Sequence, residues 1–188
     1  KLRAAQHDIR LKDKENSVSD FGIAGGKQRG AETGLERVII VLSRHRDLDQ
    51  QLLKDINQTR RELQSILDRQ RQLTQKTADI MNKIEAAKEK DSRMMDELKR
   101  LQDQQKALRN ETLQLQKKID QMRDKTGNQH AERASQANQS AARHQSQAGG
   151  RMEQGDRSGA NSAQKDAERD LQDALDNLDQ FNRQMQQQ

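Results

Sequence analysis

The sequence predicts an all-α protein, a long heptad-patterned helix of coiled-coil type followed by an alanine-rich antiparallel helical hairpin. Three observations carry that prediction. Proline is absent from all 188 residues, only 30% of residues are apolar, and just two, Phe21 and Phe181, are aromatic. So little apolar surface cannot offset the chain entropy of a thick globular core, whereas a narrow helical seam needs only two apolar residues per heptad. No glycine occurs between Gly34 and Gly127, and an alternation of three and four residues runs through that stretch. Beyond it, alanine takes over the seam and a turn-forming "GDRSG" divides it.

Residues 1–34 contain glycines at 22, 25, 26, 30 and 34 and little apolar periodicity after Leu11, so they read as a flexible lead-in. Residues 35–127 read as the long helix. Counting from Leu42, 16 of 25 seam positions through 126 are apolar: Leu42, Leu52, Ile56, Leu63, Ile66, Leu73, Ile80, Ile84, Ala87, Met94, Leu98, Leu101, Leu108, Leu115, Ile119 and Met122. Chance would fill about half as many, so the period is that of a helix with one apolar stripe. The polar exceptions include His45, Asp49, Thr59, Gln70, Thr77, Gln105 and Thr112.

A hairpin at the polar stretch 86–92, "AAKEKDS", is the alternative to one unbroken helix. The three-four phase passes through it from Ile84 to Met94 and Leu98, which favours continuity and a rod of roughly 140 Å. Such a helix needs partners for its seam. In a parallel in-register homodimer, Asp55 would attract Arg60, but Lys83 would face Lys88 and Lys118 would face Arg123. Charge therefore does not select that dimer. Leu53, Leu67, Met81 and Met95 widen the stripe, which suits a multi-helix or antiparallel arrangement.

In residues 128–188, positions 131, 134, 141 and 148 carry alanine and 152 carries methionine. A second seam in the same period holds Ala160, Ala167, Leu171, Ala174, Leu178, Phe181 and Met185. The short turn at 155–159 makes the two arms antiparallel, and Gly127 is placed to cap the helix before them. Leu171, Leu178 and Phe181 join the interaction seam of the long helix as the candidate functional residues.

Catalytic motifs are present only as fragments. Asp20-Phe21-Gly22 and His45-Arg46-Asp47-Leu48 resemble two kinase labels, but their order is reversed and Leu52 stands where a metal-holding Asn belongs. "GGK" at 25–27 lacks both the glycine and the hydroxyl of a phosphate loop, with Phe21 and Gln28 in those places. His7, His45, His130 and His144 are scattered, with no metal-ligand spacing, and cysteine is absent. No cofactor, metal site, small-molecule substrate or enzymatic activity is expected.

The net charge of +5 divides into +2, +5 and −2 over residues 1–34, 35–127 and 128–188. In the middle segment 21 basic and 16 acidic residues interleave, so no block of like charge is set to neutralise a run of phosphates. Electrostatic attachment of residues 35–127 to nucleic acid or an anionic surface is the alternative to a structural role. The longest apolar run, Val38–Leu42, is five residues, so membrane attachment would have to come from parts outside this sequence. The chain starts at Lys1 and reads as a piece of a longer protein.

Two stretches, "RMEQGDRSGANSAQKDAERDLQDALDNLDQ" and "RQRQLTQKTADI", resemble glutamine- and alanine-rich coiled-coil regions of large planctomycete-type bacterial envelope proteins of unknown function. The resemblance implies a cell-envelope location; without it a cytoplasmic one is expected. It carries over no functional residues. The combined expectation is a non-catalytic spacer, tether or oligomerisation segment whose partners are other helices, in the same chain or another protein.

Overall fold

Four helices account for nearly all of the described backbone: α1 (Leu2–Ala86), α2 (Ser92–Thr126), α3 (Gln129–Glu153) and α4 (Arg157–Gln186). The computed structural model describes the backbone of residues 2–87 and 92–187, and the side chains of residues 32–87 and 92–187. The chain divides into two units, Lys1–Gln50 and Gln51–Gln188. The first is helical where described, so residues 2–34, expected as a flexible lead-in, lie within α1.

The second unit is a four-helix bundle, and this corrects the expected coiled-coil rod followed by a separate hairpin. The helix ends at Ala86 and a new one begins at Ser92, so the preferred continuous helix over 35–127 does not exist. Residues 88–91, the heart of the polar stretch, lie outside the described residues. The two helices run antiparallel, since Glu62 pairs with Lys118 while Arg69 pairs with Glu111. Folding back covers the seam from Ile56 onward, because there each helix covers the other's apolar face, while Leu42 stays exposed. The heptad phase survives the break because both helices turn the same period toward one shared core.

The α3–α4 pair closes the bundle. Asn128 Nδ2 reaches Gln184 and His144 reaches Asp170, so these helices are antiparallel as well. Ser135 with Asp120, and Lys106 with Glu153, align α3 against α2. Arg71 with Gln172, and Arg60 with Asp179, align α4 against α1. The topology is therefore up-down-up-down, with short connections.

One contiguous core runs through the bundle. Ile56, Leu63, Leu67, Leu101, Leu115 and Ile119 on the first two helices are buried with Leu171, Leu178 and Phe181 on the fourth. Helix α3 contributes Ala131, Ala134, Ala141 and Ala148, all fully buried. Its small side chains balance the large ones on α1 and α2, the alternation that close packing of four helices demands.

The turns are encoded locally. Gly127 adopts φ 59° and donates to the carbonyl of Arg123 at 2.7 Å, ending α2. Asn128 then caps α3 by accepting from the backbone of His130 at 2.8 Å. Gly155, at φ 70°, turns the chain after α3, and Asp156 caps α4 by accepting from the Gly159 backbone at 2.9 Å.

Candidate functional site

The core of the bundle is interrupted by amides. Each helix places one glutamine on its inner face: Gln70, Gln105, Gln145 and Gln164, none more than 1% exposed. Burying an amide without partners is costly, so these side chains bond to one another. Gln105 Nε2 donates to Gln70 Oε1 at 3.0 Å, and Gln70 Nε2 donates back to Gln105 Oε1 at 3.3 Å. Gln145 Nε2 donates to Gln70 Oε1 at 3.1 Å, and Gln164 Nε2 donates to Gln105 Oε1 at 3.0 Å. Thr77 accepts a further bond from Gln164 at 3.3 Å. All four helices are thus joined through one polar layer, in which Gln145 Oε1 and Gln164 Oε1 accept nothing within the protein.

A second polar cluster joins α2 to α3. Asn138 Nδ2 donates to the Thr112 carbonyl and to Gln116 Oε1, both at 2.9 Å. Gln116 in turn donates to Ser135 Oγ, which donates to Asp120, each at 2.7 Å.

At the surface, cations meet carboxylates from neighbouring helices. Burial pushes the Glu62 carboxyl up, but hydrogen bonds from Lys118 and Gln58, with the Lys118 charge, more than offset this and hold it below its ordinary range. Glu111 holds the Arg69 guanidinium above its ordinary range through hydrogen bonds and charge, against a smaller opposing effect of burial. Glu153 does the same for the Lys106 ammonium.

The candidate seam residues fall into three groups. Ile56, Leu63, Ile66, Leu73, Leu98, Leu101, Leu108, Leu115, Ile119, Met122, Leu171, Leu178 and Phe181 are buried in the core. Leu52, Ile80, Ile84 and Met94 are half-buried. Leu42 is exposed, and it is not isolated: Leu35, Val38, Ile39, Ile40, Val41 and Leu48 are exposed with it, each to more than half. At 100° per residue, the five consecutive aliphatic side chains Val38–Leu42 surround their helix on every side. Sequence reasoning treated this run only as too short to span a membrane, although an apolar stripe that widens to a full belt was legible in it.

Gln70 and Gln105 stood out only as gaps in the apolar seam. The signal that marks them is the recurrence of one glutamine at a seam position in every helix, with Gln145 and Gln164 completing the set. Of the kinase-like fragments, the side chains of Asp20, Phe21 and Gly22 lie outside the described residues, while His45 and Asp47 are exposed on α1. Among the described residues there is no group of three His, Cys, Asp or Glu side chains placed to hold a metal.

Fold and surface together define an all-helical domain without the marks of a catalytic centre among its described residues. No described helix is long and apolar enough to cross a membrane. No family model, curated protein or solved structure matches the chain.

Proposed function

We propose that this chain is a structural, protein-interaction segment of a larger protein, in which the four-helix bundle is a rigid body and the aliphatic belt at Val38–Leu42 is an oligomerisation surface. The observation behind this reading is the belt itself. Covering an aliphatic side chain of this size contributes about 1.5–3 kcal/mol, and seven of them stand exposed along residues 35–48. Because they surround the helix, one flanking helix could not cover them all, so association of three or more helices suits the belt better than a dimer.

The electrostatic alternative has less in its favour, since Arg69, Lys106 and Lys118 already face Glu111, Glu153 and Glu62. An envelope location rests on the resemblance in the polar repeats alone.

Light scattering on the protein over a range of concentrations tests the reading. Self-association that Ile40→Asp abolishes, with helicity retained, is the expected result. A protein that stays monomeric at high concentration, or that associates equally well with Asp at this position, would refute it.

A further inference from the structure

Two connections of the bundle fix the register of the helices they join. Gly127 and Asn128 end α2 and start α3 within two residues, and Gly155 with Asp156 turns the chain from α3 into α4. The connection from α1 to α2 is longer, with five residues between Ala86 and Ser92. Five residues can span up to about 17 Å, more than the roughly 10 Å by which a slide of one heptad displaces a helix. Helix α1 therefore relies on its own side chains to find its place against the other three.

Its apolar seam cannot do this alone. Ile66, Leu73 and Ile80 recur at seven residues, as do Leu63, Gln70 and Thr77. A slide by one heptad returns the same face to the core with aliphatic side chains in most of its positions. What the slide loses is the partner of the glutamine layer. Gln70 Oε1 accepts from Gln105 at 3.0 Å and from Gln145 at 3.1 Å, while Gln70 Nε2 donates to Gln105 at 3.3 Å. Sliding one way brings Leu63 to this place, which offers neither donor nor acceptor. Sliding the other way brings Thr77, whose oxygen stands two carbons closer to the backbone. Gln105 and Gln145 are buried, so their amides would lose an acceptor without gaining water.

We propose that the glutamine layer is the register key of the bundle, with Gln70 selecting the one heptad-related position of α1 in which the amides meet. The layer acts against alternatives that the apolar seam tolerates, and it does so at some cost, because well-packed apolar residues of similar volume can stabilise a core as much or more. This assignment is independent of self-association at the aliphatic belt.

Double electron–electron resonance tests it. The chain has no cysteine of its own, so nitroxides on Lys54→Cys and Lys165→Cys report alone. Both positions are exposed, on α1 and α4, and the pairing of Arg71 with Gln172 and of Arg60 with Asp179 sets them far apart along the bundle. Excess unlabelled protein removes distances between copies. The labelled parent should give one distance. Leu63→Gln/Gln70→Leu, which moves the key by one heptad, should shorten that distance by about 10 Å as α1 follows its glutamine. Replacing all four glutamines by leucine should preserve helicity, keep the urea midpoint at or above that of the parent, and add distances displaced by about 10 Å. The parent distance alone, in the folded exchange variant or in the four-leucine variant, would overturn the proposal. A four-leucine variant less stable than the parent would overturn it too, since the glutamines would then be supporting the core and not selecting its register.

Discussion

Gln70 and Gln105 exchange hydrogen bonds through both ends of their amides, 3.0 and 3.3 Å apart, at the point where α1 and α2 face one another inside the bundle. Gln105 also serves as acceptor for Gln164, and Gln70 for Gln145. Removing Gln105 therefore takes an acceptor from the amide nitrogens of both Gln70 and Gln164. Replacing Gln105 by Leu should destabilise the bundle by about 2–4 kcal/mol, since each buried polar group left unpaired costs about 1–3 kcal/mol. The Gln70→Leu/Gln105→Leu double variant should lose less than the sum of the two single changes, because the second substitution removes a group the first left unpaired. Urea unfolding of the four members of this cycle measures the coupling; strict additivity would contradict the network.

The two glycine classes should respond in opposite directions to alanine. Gly155 sits at φ 70°, where a Cβ is strained, so Gly155→Ala should lower stability by about 1 kcal/mol. Gly149 is helical with open space around its missing Cβ, so Gly149→Ala should raise stability by about 0.5–1 kcal/mol. Paired thermal melts decide this, and a destabilised Gly149→Ala would show that the helix there requires glycine.

The Glu62–Lys118 link should be visible in the pH dependence of stability. The Glu62 carboxyl is held below its ordinary range in the folded protein, so its contribution is fully present above the unfolded value and is lost as pH falls through the folded one. Because its side chain is 35% exposed, screening by solvent limits the contribution to less than about 1 kcal/mol. Lys118→Met should flatten the stability curve below about pH 5 and reduce its salt dependence, as measured by urea unfolding at a series of pH values.

The regular spacing of Ile56, Leu63, Leu101 and Leu115 puts these residues on single helical faces, and in the bundle those faces are buried. The same spacing misled on length. A seam that keeps its phase across residues 86–92 reads as one helix, yet a phase is a property of each helix separately, and two helices folded onto a common core can share it. Polar positions on the seam read as interruptions because a linear pattern shows a residue's face but not what stands across from it. Gln145 and Gln70 are 75 residues apart, and only the fold brings their amides to 3.1 Å.

What the sequence determined by itself was the helical state and the set of inward faces. The lack of proline, the scarcity of aromatics and the heptad spacing act through local backbone preference and periodicity, which need no tertiary contact to be expressed. Tertiary structure decided who covers those faces. An apolar stripe gains equally from a helix of its own chain or of another, so the choice rests on whether the chain can turn back at a modest closure cost. Here the bundle takes the intramolecular solution, and its four glutamines acquire meaning only once four helices meet.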